Sequence, residues 1–231
     1  MWWELHGFWP QLMLGTLMTI KLAFCALVLG LGIGLTMACA RLSSSRLLAG
    51  LARLYTNVIR GVPELLGVLL IYFGASQLVQ LAGNWFGYQQ YIEVGPFIAG
   101  VLALALAFGG YAAEVFRGAF LAIPSGQYEA ARVLGMGRLR CFWRITLPQL
   151  WRTALPGLGN LFLVLLKDTA LVSVIGLEEL MRKASLAVTY TREPFTFYFT
   201  ATLMYLLLTW ITMQLLARLE QRSRKGFNGG L

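Results

Sequence analysis

Lys167 and Asp168 stand side by side about fourteen residues into an apolar run of twenty-five, Thr153 to Leu177, that carries no other charge. Ionisable groups inside such segments are expensive and commonly mark a pathway. Neighbours on a helix point about 100° apart, so the two cannot neutralise each other face to face. At least one must meet a partner helix, water or a ligand. Asp168 reads either as part of a substrate pathway or as half of a structural ion pair, and Lys167 has the same two readings. Glu64 and Glu114 lie near the ends of two further apolar stretches, where pairing with arginines such as Arg60 or Arg117 competes with a pathway role. Lys21 sits near one end of the first stretch, where its long stem can snorkel to an interface.

Other chemistries lack their residues. No Gly-Lys pair occurs anywhere, so the chain has no G-x-x-x-x-G-K-[ST] phosphate loop and cannot be its own P-loop ATPase. Neither H-E-x-x-H nor G-x-S-x-G is present, and the single histidine, His6, is close to the N-terminus. Cys25, Cys39 and Cys141 are odd in number, with no C-x-x-C, and build neither a disulfide framework nor a metal site. No bound metal or cofactor is expected.

The elements that must position these charges are membrane helices. Of 231 residues, 58% are apolar and only 13% charged, against about 25% charged in a soluble domain. The net charge of +9 would raise nucleic acid as a partner in a polar chain. Here it points to a lipid bilayer, and no nucleic-acid role is expected. A bilayer core needs about 20 apolar residues per helix. Five stretches qualify: roughly 10–40, 63–82, 94–115, 153–177 and 194–217. Each is too long and too uniformly apolar for a strand of a membrane barrel. The first is not expected to be a cleaved signal peptide, because Met1 to Pro10 has no basic residue. The expected fold is an all-α integral membrane domain over residues 10–218, with a tail at 219–231.

Five spans put the termini on opposite sides, and arginine decides which. The segments after spans one and three, together with the tail, hold fourteen lysines and arginines. On the other side, the N-terminus and the loop Gly83 to Gly95 have none, and Arg182, Lys183 and Arg192 are balanced by Glu178, Glu179 and Glu193. By the positive-inside rule the N-terminus is outside and the tail cytoplasmic. Trp2, Trp3, Trp9, Trp85, Tyr88 and Tyr91 then fall at the outer boundary, as interfacial aromatics should.

The main extramembrane piece is cytoplasmic, residues 118–152. Ser125 is placed to cap a helix, with Glu129 near its positive end. Gly135 and Gly137 offer a stop, and a second short helix from Arg138 carries Phe142, Trp143 and Ile145 as apolar contacts until Pro148 ends it. Gly30 and Gly34 form a G-x-x-x-G face, and Gly109-Gly110 a further small patch, for close helix packing. Pro156 is expected to kink or break the fourth span.

This loop resembles a known family. Glu129-Ala130-Ala131, three residues, Gly135, nine residues and Ile145-Thr146-Leu147-Pro148 match the E-A-A-x3-G-x9-I-x-L-P signature of bacterial ABC importer permeases. Arg60-Gly61-Val62-Pro63-Glu64, Glu114-Val115-Phe116-Arg117-Gly118 and Lys167-Asp168-Thr169-Ala170-Leu171-Val172-Ser173 resemble elements of its polar amino-acid group. Gly176-Leu177-Glu178-Glu179 is similar to the histidine/lysine/arginine/ornithine and opine importers.

The resemblance implies a type I importer permease working by alternating access in the bacterial inner membrane. It also implies a second, similar permease chain, two cytoplasmic ATPase subunits where ATP and Mg act, and a periplasmic solute-binding protein. Glu129, Ala130, Ala131, Gly135, Ile145, Leu147 and Pro148 would couple to the ATPase. Asp168, Lys167 and Glu64 are candidates for the substrate pathway, Asp168 as counter-charge to a basic amino acid. Other amino acids, such as glutamine or glutamate, are open to the same family. A secondary transporter fits badly without an inverted repeat, and a membrane scaffold leaves the glutamate-alanine-alanine loop without a purpose.

Overall fold

A computed structural model describes residues 5–85 and 94–224, so Trp2, Trp3, Tyr88, Tyr91 and Lys225 lie outside the described residues. The described residues form helices and no strand. In order these are α1 (Trp9–Arg41), α2 (Arg46–Gly61), α3 (Glu64–Trp85), α4 (Pro96–Leu121), α5 (Ser125–Val133), α6 (Arg138–Cys141), α7 (Leu147–Asp168), α8 (Leu180–Thr191) and α9 (Pro194–Arg224). A π-helical turn, Phe142–Thr146, joins α6 to α7, and a 3-10 segment, Thr169–Ile175, follows α7. Five of the helical stretches are long and apolar enough to cross a membrane: Trp9–Arg41, Glu64–Trp85, Pro96–Leu121, Arg138–Ile175 and Pro194–Ser223.

The helix α4 is the centre. Its buried residues are mostly small, among them Ala99, Gly100, Ala103, Ala105, Gly109, Gly110, Ala112 and Ala113. Lipid tails are as apolar as any side chain, so membrane helices gain little by hiding Leu from lipid and gain contact by letting backbones approach. On α1, a Cβ added at Gly34 would stand 2.7 Å from the Ala112 Cβ, and one at Gly30 would meet Phe108 at 2.7 Å. On α4, Gly109 and Gly110 are filled by Ile33 of α1 and Ile59 of α2. The two glycine pairs read from the sequence are therefore packing sites. The core that results joins α1, α3, α4 and α7, and a smaller cluster ties α8 and α9 to the start of α1 through Leu12, Leu180, Ala184, Phe197 and Ala201.

Several local expectations change. Pro148 does not end a helix: it lies in the first turn of α7, where a missing N–H costs least, and the chain is helical from Arg138 onward. Pro156 lies within α7 without interrupting it. Ser125 is the first residue of α5 rather than its cap; Pro124 holds that position and no side chain caps the helix. Gly135 ends α5 at φ +67, and the Gly135 and Met136 N–H groups donate back to Arg132 and Ala131 at 2.9 Å each. That is a Schellman turn, which glycine enters without a Cβ penalty. Gly137 is extended and opens α6. Trp143 is exposed rather than an internal contact.

The α1–α4 contact has little slack, because the nearest atom to Gly34 is a Cβ fixed to its own backbone. Gly34→Ala should separate the helices and cost about 1–3 kcal/mol, the range for overpacking. Gly32→Ala, which meets nothing within 4 Å, should not. Thermal unfolding of the two variants in one detergent compares them directly.

Candidate functional site

A stripe of α4, Leu104, Ala107, Phe108 and Tyr111, faces a stripe of α7, Leu161, Val164, Leu165 and Asp168. Both have the three- and four-residue spacing that keeps side chains on one helical face. Glu64, the first residue of α3, completes the lining of the cavity between them. The Tyr111 hydroxyl donates to Glu64 Oε1 at 3.1 Å. Asp168 lies where α7 tightens into the 3-10 segment; its side chain is half-buried, and that of Lys167 is exposed. Asp168 and Glu64 thus line one cavity, and Lys167 does not. Neither carboxylate makes a salt bridge among the described residues. The cavity measures about 20 Å³, room for one water, so in this conformation it is too small to hold an amino acid.

Glu64 opens α3, and its partner Tyr111 lies ten residues before the end of α4 at Leu121. Before it comes α2, a helix whose arginines break up any charge-free stretch. Arg46, Gly50, Arg53, Asn57 and Arg60 repeat at four and three residues along one exposed face, and Leu47, Leu51, Leu54 and Val58 along another. That pattern is the signal that could have revealed it.

Glu114 has a different environment. Arg41 is bonded to it, Arg117 Nε donates to it at 3.0 Å, and an Arg60 nitrogen lies 3.8 Å away. Arg41 also donates to Thr56 at 3.3 Å, so the cluster ties the ends of α1 and α2 to α4. Of the two carboxylates weighed together in the sequence, Glu114 is held by arginines and Glu64 by a tyrosine. Arg41 and Tyr111 are both site residues that sequence reasoning missed, because their partners are 73 and 47 residues away.

The signature residues of the 118–152 loop divide by exposure. Glu129, Ala130, Gly135 and Pro148 are exposed, Ile145 and Leu147 half-buried, and Ala131 buried. Val133, Leu134, Leu139 and Trp143, all large and apolar, project from the same protrusion.

A third acidic residue was unforeseen. Glu179 is fully buried and caps α8, accepting from the Met181 and Arg182 N–H groups at 2.9 and 2.7 Å and from the Tyr205 hydroxyl at 3.0 Å. Thr19 of α1 joins it at 3.4 Å and accepts from the Leu180 N–H. Burial pushes its pKa above the ordinary glutamate value, partly offset by the hydrogen bonds it accepts. Glu178 beside it is exposed and paired with Lys183 at 2.6 Å.

Five membrane-length helices, four of them arranged about the central α4, a carboxylate pair lining one cavity between them and an exposed helix-turn-helix define a membrane transport subunit. The chain belongs to the family described as binding-protein-dependent transport system inner membrane component, whose profile matches residues 30–225. It is 42% identical to the octopine transport system permease protein of Rhizobium radiobacter, over 99% of this chain and 98% of that one. It is 46% identical to the arginine ABC transporter permease protein of Haemophilus influenzae, over 89% and 90%. Among solved structures it matches a chain in the crystal structure of an amino acid ABC transporter with histidines. That match has a TM-score of 0.80 and 36% identity, covering 96% of this chain and 98% of that one.

The Glu179 cap generates a pH prediction. A carboxyl whose pKa is raised by folding adds stability that is full below the unfolded value, near 4.3, and fades as pH climbs through the folded value. The melting temperature of the native protein, compared with that of Glu179→Gln, should therefore decline from acid to neutral pH. A difference that does not vary with pH contradicts this.

Proposed function

We propose that this chain is the permease subunit of an ATP-driven importer that carries a cationic amino acid or an opine across the bacterial cytoplasmic membrane. The observation that carries the reading is the Glu64–Asp168 pair. Two carboxylates lining one small cavity within membrane helices repel each other and are poorly solvated. A substrate ammonium or guanidinium relieves both costs, whereas a neutral side chain relieves neither. The relatives point the same way, named as they are for arginine and octopine. Lys167, exposed beside the pair, lines the approach without holding substrate. The lysine and arginine distribution supports an outer N-terminus and a cytoplasmic tail.

A single permease chain makes half a pathway in this reading. It works with a second permease chain, two ATPase subunits that bind ATP and Mg, and a periplasmic binding protein that delivers substrate. The helix-turn-helix α5–α6 docks on the ATPase. Glu129 and Ala130 lie on its exposed surface, Ala131 anchors α5, the Gly135 turn sets its angle, and Ile145, Leu147 and Pro148 lead into α7. Because α7 runs without interruption through Pro156 to Asp168, a displacement of the docked element at the ATPase is carried by a rigid helix to the cavity wall. The narrow cavity is then one stage of alternating access, and widening it requires α7 to move relative to α3 and α4.

Two measurements test this. Removing one partner of a buried charge pair costs 2 kcal/mol or more, so Asp168→Asn should slow arginine uptake by about 30-fold or more in proteoliposomes holding the full complex. Glutamine uptake should change far less, and equal loss of both with weakened assembly favours a structural role. Gly135→Pro should abolish uptake while the chain still inserts; unimpaired ATP-driven transport by that variant rejects the coupling assignment.

A further inference from the structure

Arg60 stands between two acidic centres of opposite balance. On one side Glu114 already has Arg41 and Arg117, and Arg60 approaches it only to 3.8 Å, a third cation on one carboxylate. On the other side Glu64 and Asp168 share a cavity with no salt bridge among the described residues. Tyr111 joins the two sides. The Arg60 guanidinium lies 6.0 Å from the centre of its ring, a cation–π distance, and the hydroxyl of that ring donates to Glu64. Arg60 and Glu64 thus engage two parts of one side chain.

The backbone gives this arginine freedom. Helix α2 ends at Gly61, Val62 is extended at φ −100 and ψ 133, Pro63 has no N–H to donate, and α3 begins at Glu64. A break of two residues therefore separates α2, which ends one residue after Arg60, from α3, which begins at Glu64. Arg60 remains about half exposed, with a side-chain accessibility of 49%, so its guanidinium is not locked by packing.

We propose that Arg60 is a resident competitor for the acidic site: its guanidinium turns to Glu64 and Asp168 when the cavity opens empty and withdraws to Glu114 when a cationic substrate takes its place. This rests on the substrate reading of the Glu64–Asp168 pair. Its physical content is a charge exchange. An open cavity without substrate leaves two carboxylates without a salt-bridged cation; Lys167 adjoins Asp168 in sequence but does not line the cavity, whereas Arg60 already reaches the tyrosine that holds Glu64. An arriving ammonium or guanidinium has to displace it, and its return helps expel the substrate toward the far side. Arg60 is then a positioning and specificity-determining residue. It sets how tightly a cation is held, and an amino acid with a neutral side chain, which offers only its α-ammonium, competes with it less well.

The test is equilibrium binding of radiolabelled arginine to the complete purified complex in nanodiscs, without ATP, alongside ATP-driven uptake. If Arg60 fills the carboxylates about nine-tenths of the time, its removal raises apparent affinity about tenfold. Arg60→Gln should therefore bind arginine about tenfold more tightly than the native complex yet turn over more slowly at saturation. Arg60→Lys, which keeps a competing cation, should stay close to native, and adding Asp168→Asn to Arg60→Gln should erase the gain. A residue that only anchors α2 to Glu114 would give unchanged or weaker binding, and that result overturns the proposal while leaving the substrate site intact. If no variant and no native complex binds arginine saturably, and Asp168→Asn transports normally, the site reading fails and takes the Arg60 proposal with it.

Discussion

The close approach of α1 to α4 is the constraint on which the rest depends. In a bilayer two helices gain little by burying apolar surface together, so their register is fixed where small residues admit a neighbour's atoms. Gly30 and Gly34 receive Phe108 and Ala112, and Gly109 receives Ile33. Once that register is set, the polar residues of α4 have no freedom in depth or direction. Tyr111 must point toward α3 and Glu114 toward the ends of α1 and α2. The alanine and glycine content of α4 thus serves its few polar groups as much as its packing.

From that fixed helix the structure builds two acidic environments that differ in charge balance. Glu114 is surrounded by guanidinium groups and acts as a fastening between helices. Glu64 and Asp168 share a cavity that in this conformation has room for about a water molecule. Such a pair is tolerable inside a membrane protein when something positive visits it. In the proposed cycle the substrate does so in one state and Arg60 in another, with α7 joining the cavity to the element that meets the ATPase.

The five spans were legible because bilayer thickness demands long apolar runs, and such runs are visible without knowing any contact. The glycine faces were legible for the same kind of reason, a local spacing with one common use. Helix α2 was not, because Arg46, Arg53 and Arg60 break up any charge-free window even though their spacing is helical. Lys167 and Asp168 drew attention through a rule about cost in apolar segments, but only the fold separates them, one exposed and one facing the cavity. Pro148 read as a stop because proline ends helices more often than it is absorbed in a first turn. Glu179 looked like one of several loop charges, and nothing local distinguishes it from the exposed Glu178. Its burial depends on Thr19 and Tyr205, which come from opposite ends of the chain.

The central claim is that Glu64 and Asp168 together receive the charged group of a cationic substrate. A structure of the assembled transporter with arginine bound tests it most directly. Density for the guanidinium or ammonium group is expected within hydrogen-bonding distance of both carboxylates, in a cavity widened between α4 and α7. Arginine bound elsewhere along the pathway, with neither carboxylate in contact with it, would contradict it.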